Sequence, residues 1–440
     1  MIWNPGAETL RRSELESLQL ERLRATLRRA AERVPFYRDA FAGARMTPES
    51  IRSLADLERI PFTLKAHFRE SYPFGLFAVP VTQVSRIHAS SGTRGKPTVV
   101  GYTKNDLQVW REVMARSLAA AGAEPGQVIQ IAYGYGLFTG GLGFHDAAEY
   151  MGLTVVPVSS GNTLLQIMLL QDFRPQGLAC TPSFALHIGE TLREQGVEPS
   201  KLGLRYGLFG AEPWSEELRR EIEAVLALTA VDFYGLSEII GPGVSVECAE
   251  VRDGLHINED HFLPEIVDSA GNRLPSGTEG ELVLTALTKE ALLAIRYRTG
   301  DVTSLNPEPC KCGRTTVRMA RIKGRTDDML VIKGVNVYPS QVEAALLAIE
   351  DLAPHYQLVV DRTRGFPSLE VHVEPAERLV QRWGRFEPSN PELAALRQRI
   401  SDRLRAMLTL NPEIVVDPPK TIPRSVGKAV RVVEKKSVGV

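Results

Sequence analysis

Val128-Ile-Gln-Ile-Ala-Tyr133 opens the stretch whose reading decides the fold. Four more short apolar runs follow: Thr154-Val-Val-Pro-Val158, Gly177-Leu-Ala-Cys180, Tyr206-Gly-Leu-Phe209 and Ala230-Val-Asp-Phe233. Between them lie helical patterns at 163–171, 183–195 and 215–227. Strands alternating with helices predict a parallel α/β sheet, with ligands bound beyond the carboxyl ends of the strands. The loops that follow strands are therefore the informative ones.

After the first strand comes Tyr133-Gly-Tyr135-Gly-Leu-Phe138-Thr-Gly-Gly141. Glycine makes room and the rings supply contact area, which suits a flat apolar ligand, although an aromatic turn reads the same way. After the fourth comes Ala211-Glu212-Pro213-Trp214, with Ser215 placed to cap the next helix. After the fifth comes Tyr234-Gly-Leu-Ser-Glu238, a carboxylate ahead of the uncharged run Ile239 to Val246.

Upstream, Ser90-Ser91-Gly92-Thr93-Arg94-Gly95-Lys96-Pro-Thr98 combines hydroxyls, glycine N–H groups and one ammonium. That set suits the oxygens of a polyphosphate, and Val99 to Tyr102 reads as the strand that anchors it. The spacing is not that of a Walker loop: two residues separate the glycines and Pro97 follows the lysine. Downstream, Glu281 to Leu287 reads as a strand. Asp301, after Tyr297-Arg-Thr-Gly300, reads as a turn residue able to accept two hydroxyls.

Toward the N-terminus, 13–34 reads as an amphipathic helix with Ser13 and Glu16 as a capping box and Pro35 as its stop. A second helix opens at Asn105 or Asp106. Toward the C-terminus, Gly324 with Thr326-Asp327-Asp328 reads as a linker. It divides a first domain, 1–325, from a small α+β domain, 326–440. The latter has a helix from Ser340, strands near 357–361 and 369–373, and a helix over about 391–408. In its tail, Lys428 follows a glycine; it reads as a solvated charge or as one delivered by domain movement.

With 440 residues, a net charge of −1 and ordinary composition, the chain offers no electrostatic case for nucleic acid or an anionic membrane. No apolar run is long enough to span a bilayer, and the N-terminus has no signal region, so a cytoplasmic enzyme is expected. The Leu-rich N-terminal helix offers a face for a homodimer. Four cysteines do not make a disulfide framework. Cys310-Lys-Cys312-Gly is a tight thiolate pair, and Cys248 and His256 would complete a closed Cys₃His zinc site, with His261 as a spare. Cys180 reads as packing inside a strand. Free thiols are the alternative.

Taken in order, these stretches resemble the adenylate-forming superfamily, and within it the phenylacetate–CoA ligase type of aryl-CoA ligase. The resemblance runs over almost the whole chain, from Ser90–Thr98 through Gly334-Val-Asn-Val-Tyr-Pro339 to Pro423–Arg431. Arg94, where such loops more often carry Thr, is a departure. The resemblance implies ATP, Mg²⁺, coenzyme A and a small aromatic acid, in the range of phenylacetate, benzoate or 2-aminobenzoate. It implies that Ser90, Ser91, Gly92, Thr93, Gly95 and Lys96 hold phosphates and that Glu238 coordinates Mg²⁺. Ala211, Glu212, Pro213 and Tyr234 would border the adenine; Asp301 would hold the ribose, with Arg325 near the same nucleotide. Lys428 would bridge the carboxylate and the α-phosphate, and Asp327 would be the hinge of a mobile C-terminal domain. Tyr133, Tyr135, Phe138, Gly141, Ala211, Ile239 and Pro242 are the expected acyl pocket. A carrier-protein acceptor in place of CoA, or a non-catalytic ligand-binding homologue, are the other readings.

Overall fold

The structure, a computed structural model, describes residues 1–90, 96–326, 328–332, 335–361, 367–408, 410–425 and 429–435. The chain forms two compact units. One comprises Met1–Cys180, Ser200–Ala211 and Leu228–Arg321; the other comprises Thr181–Pro199, Glu212–Ala227 and Ile322–Val440.

In the first unit the expected strands are all present: Val128–Ile131, Thr154–Val156, Gly177–Cys180, Tyr206–Gly210 and Thr229–Leu236. They pair in parallel, in the order Thr154, Val128, Gly177, Tyr206, Thr229 by first residue. Among the described residues this sheet grows to nine strands by antiparallel addition: Ile240–Glu247 pairs with Thr229–Leu236, and Leu255–Ile257 pairs with Ile240–Glu247. Gly177–Cys180 and Tyr206–Gly210 are buried throughout, as continuous apolar runs in a sheet covered on both faces should be. A second antiparallel set joins Phe262–Val267, Gly280–Ala286 and Tyr297–Thr303.

Three local expectations need correction. The N-terminal helix is Arg12–Arg33 with Arg11 as its N-cap, so Ser13 lies inside it. Pro35 both ends that helix and starts the next, Pro35–Gly43, because a proline at the first helical position loses no hydrogen bond. The following long helix is Lys104–Ala120, capped by the Thr103 hydroxyl, which accepts the Asp106 N–H at 3.1 Å while the Asp106 carboxylate accepts the Thr103 N–H at 2.9 Å. The leucine face of the first helix (Leu15, Leu23, Leu27) is buried within the chain and is not free for a second copy.

The second unit has a four-stranded sheet ordered Glu413–Val416, Ser368–Pro375, Leu352–Asp361, Val432–Glu434. Helices Pro339–Leu347 and Pro391–Leu408 contribute Val342, Leu346, Leu396, Ile400 and Leu404 to one core with Leu358, Val360 and Val371 of the sheet. Two further helices of this unit, Pro182–Glu194 and Glu216–Leu226, pack so closely that a Cβ on Gly189 would lie 2.3 Å from Val225. No helix among the described residues is long and apolar enough to cross a membrane.

Candidate active site

The loops after the parallel strands of the first unit surround a cavity of about 120 Å³. Tyr133, Phe138, Ala211 and Pro242 line it, as expected; Thr139, Phe233, Leu236 and Ser237 line it as well. Tyr133 is held by its hydroxyl, which donates to the Cys180 carbonyl and accepts the Gly210 N–H at 3.2 Å, so it staples three neighbouring strands where they end. Its ring stacks on Phe144 at 5.4 Å, and Phe233 meets both rings edge-on. Pro242 is fixed by its carbonyl, which accepts the Trp110 Nε1–H at 2.8 Å. Gly141 closes against the Gly134 carbonyl, 2.7 Å from where a Cβ would sit.

Three expected pocket residues, Tyr135, Gly141 and Ile239, do not line this cavity. The Tyr135 hydroxyl is turned to His145 Nδ1 at 3.2 Å, and Ile239 is wholly buried in the core. Phe233 and Leu236 escaped the sequence reading because a strand was assumed to end at 233; it runs to Leu236 and carries its side chains to the cavity wall.

The polar groups of the first unit lie around the same strand ends. The Tyr234 hydroxyl donates to Asp301 Oδ2 at 2.5 Å. Asp301 sits in the strand Tyr297–Thr303 and not in a turn: the pairing slips by a bulge at Gly300, whose φ is +79°, and the bulge re-aims the neighbouring side chains. Glu238 is buried; its Oε1 accepts the Tyr297 hydroxyl at 3.3 Å and its carbonyl accepts Lys289 Nζ at 3.5 Å. Burial pushes the Lys289 ammonium down to about 8, against the favourable charges of Asp106 and Glu238. Ser90 is bonded to Thr98: its N–H donates to the Thr98 carbonyl at 3.0 Å and its hydroxyl accepts the Thr98 N–H at 3.1 Å. Lys96 lies 5.0 Å above the Tyr72 ring. Ser91, Gly92, Thr93 and Gly95 lie outside the described residues.

In the second unit, the Glu212 carboxylate accepts two backbone N–H groups, from Ser183 at 2.8 Å and from Ala429 at 2.7 Å. Pro213 is exposed beside it. Ser215 caps Glu216–Leu226 as expected, and its own N–H donates to Glu343 Oε1 at 2.9 Å. Arg325 is 3.8 Å from Asp328. Lys428 and Asp327 lie outside the described residues.

The first unit also gathers Cys248, His256, Cys310 and Cys312, whose ligand atoms all lie within 4.8 Å of one another. Three separate segments supply them. Cys248 follows the strand Ile240–Glu247, His256 is central in Leu255–Ile257, and Gly313, at φ +93°, turns Cys310–Arg314 back on itself. Tetrahedral zinc, with bonds of about 2.3 Å to sulfur and about 2.0–2.1 Å to nitrogen, needs ligand separations of roughly 3.8 Å for S–S and 3.6 Å for S–N. Cys248 and Cys310 sulfurs are 3.8 Å apart, and Cys312 Sγ is 3.5 Å from His256 Nε2. The donor set therefore fits the ion. His256 Nδ1 meets the Thr316 hydroxyl at 3.3 Å, and Arg314 Nη1 donates to Cys312 Sγ at 3.6 Å. Hydrogen bonding to Cys312 and burial push the Cys248 thiol up; the same bond pulls Cys312 down.

Residues 82–286 match the family described as AMP-binding enzyme, and 334–436 match the AMP-binding enzyme C-terminal domain. Fold and matches together define an adenylate-forming enzyme. A phenylacetate–coenzyme A ligase of Thermus thermophilus is 54% identical over 98% of this chain and 98% of its own. That of Escherichia coli is 48% identical over 98% and 97%. The chain belongs to the phenylacetate–coenzyme A ligase family of AMP-forming acid–thiol ligases. A solved 2-hydroxyisobutyryl-CoA ligase in its postadenylation state is similar with a TM-score of 0.93 at 28% identity, covering 99% of this chain and 93% of that one.

Proposed function

We propose that this chain is an ATP-dependent aryl-CoA ligase whose acid is phenylacetate. The observation that carries the acid is the cavity of about 120 Å³, walled by Tyr133, Phe138, Phe233 and Pro242. An apolar cavity of about 150 Å³ takes one benzene ring, so a cavity of this size favours a single ring over a fatty chain. Its polar side chains beyond the bonded Tyr133 are the hydroxyls of Thr139 and Ser237. Among the described residues no charged side chain lines it, which favours an unsubstituted ring over an amino- or hydroxybenzoate. The names of the relatives at 48–54% identity agree.

The carboxylate attacks the α-phosphate of ATP, pyrophosphate leaves, and the CoA thiol then displaces AMP from the acyl-adenylate. Ser90 to Lys96 hold the β- and γ-phosphates. Asp301 takes the ribose hydroxyls, oriented by Tyr234, and Ala211, Glu212, Pro213 and Tyr234 border the adenine, with Arg325 close by. Glu238, a hard carboxylate steadied by Tyr297, suits Mg²⁺, which would neutralise phosphate charge. Lys428 balances the two anions that must meet in the first step. The C-terminal segment then turns about Asp327, and the strand Val335–Val337 faces the pantetheine arm. Cys248, His256, Cys310 and Cys312 hold a structural zinc; with four protein ligands no position is left open for Lewis-acid work.

ATP–pyrophosphate exchange without CoA, run across single-ring aromatic acids and short fatty acids, tests this reading. Exchange is expected to be fastest with phenylacetate, at least tenfold over benzoate and 2-aminobenzoate. Exchange confined to aliphatic acids would refute the pocket assignment.

A further inference from the structure

Lys289 follows the strand Gly280–Ala286 and is only 4% exposed. Its segment is pinned from both sides. The Asp106 carboxylate accepts the N–H groups of Glu290 at 2.7 Å and Ala291 at 3.0 Å, and the Thr103 hydroxyl donates to the Glu290 carboxylate at 2.8 Å. Residues Ala291 to Ile295 are buried. A buried ammonium normally sits on a carboxylate, because desolvating an unpaired charge is costly. Among the described residues Lys289 has no such pair: both oxygens of Asp106 are taken by backbone N–H groups. Its contacts are the face of Tyr102, 4.6 Å from Nζ to the ring centre, and the carbonyl of Glu238 at 3.5 Å. A methionine would fill the same space without the desolvation cost. What the ammonium adds is those two contacts and the attraction of the nearby Asp106 and Glu238 charges.

Both contacts belong to the nucleotide side of the molecule. Tyr102 ends the strand Val99–Tyr102 that leaves the phosphate loop, and it is held by stacking on Trp110 at 4.7 Å. Glu238 lies in the turn between Thr229–Leu236 and Ile240–Glu247. Tyr297 steadies the Glu238 carboxylate, and Lys289 steadies its backbone. We infer that Lys289 is a positioning residue for adenylation: it clamps the Glu238 turn to the strand Val99–Tyr102 and so holds the Glu238 carboxylate in place for the nucleotide. The inference rests on the reading of Glu238 as a nucleotide–metal ligand.

Lys289→Met, Glu238→Gln and the double variant are compared in the full-length protein. Pyrophosphate exchange is followed across a Mg²⁺ titration, Mg-ATP binding by calorimetry, CoA transfer from supplied phenylacetyl-adenylate, and thermal unfolding. Lys289→Met is expected to lower exchange roughly 10- to 100-fold, the scale of one hydrogen bond from a charged group. It should raise the Mg²⁺ needed for half-saturation and weaken Mg-ATP binding in parallel. CoA transfer should stay within about twofold, and the unfolding temperature should not fall, because a buried charge has been removed. The double variant should be no worse than Glu238→Gln alone, since Lys289 acts through Glu238. Exchange within twofold of the parent, independent effects of the two substitutions, or equal loss of exchange and transfer with a lower unfolding temperature would each overturn the inference. If Glu238→Gln itself leaves exchange unchanged, the reading of Glu238 fails first and the inference with it.

Discussion

At the scale of residues, the four proposed metal ligands are defined by chemistry more than by neighbourhood. Cys310 and Cys312 announce themselves by spacing, whereas Cys248 and His256 are far off in sequence. The antiparallel pairing of His256 with Arg318 brings the strand and the cysteine knuckle together. The cluster also anchors the N-terminus: Arg314, beside Cys312, donates to Glu8 at 2.6 Å, and Glu8 accepts the N–H groups of Trp3 at 2.8 Å and Asn4 at 2.7 Å. Elemental analysis should find about one zinc per chain. Cys312→Ser should release it and lower the unfolding temperature by roughly 5–10 °C, equivalent to a few kcal/mol. A folded, metal-free parent protein would remove the site.

At the scale of elements, the helix Pro182–Glu194 is tied to the C-terminal segment by ion pairs. His355, in Leu352–Asp361, meets both oxygens of Glu190 at 2.8 and 2.9 Å, and Lys420 reaches Glu194 at 2.7 Å. Burial raises the Glu190 carboxyl, but the hydrogen bond and charge of His355, with the charges of Arg424 and His187, outweigh it and hold the group below its ordinary value. A depressed carboxyl contributes stability that is complete above its ordinary range and is lost as pH falls through its lowered value. Glu190→Gln should therefore cost about 1–3 kcal/mol at pH 7, shrinking as the solution is acidified below the carboxylate range. Thermal unfolding of both proteins from pH 7 to pH 3 measures this; a difference that does not change with pH would mean that Glu190 contributes packing and not charge.

At the scale of the whole molecule, the proposed function has one active site perform two reactions, with Lys428 serving the first. Lys428→Ala should nearly abolish acyl-adenylate formation, by about a thousandfold or more if its charge is as decisive as a transition-state clamp. CoA transfer from supplied adenylate should fall by no more than a few-fold. Equal losses in the two half-reactions would rule out alternation about Asp327.

Much of this was legible in the linear chain. The five parallel strands and the helices between them follow from local periodicity, which neighbouring residues carry by themselves. The choice of Cys248, His256, Cys310 and Cys312 as one cluster follows from residue chemistry. The tertiary structure decided what depends on register and burial. It extended the Thr229 strand to Leu236 and so put Phe233 and Leu236 on the cavity wall. It placed Asp301 on a bulged strand against Tyr234, and grouped Pro182–Glu194 and Glu216–Leu226 with the C-terminal segment. It buried Lys289, which in sequence is one charged residue beside Glu290 and looks like surface. These features arise between residues tens to hundreds of positions apart, where the free energy lies in which faces exclude water together, and no local pattern encodes that.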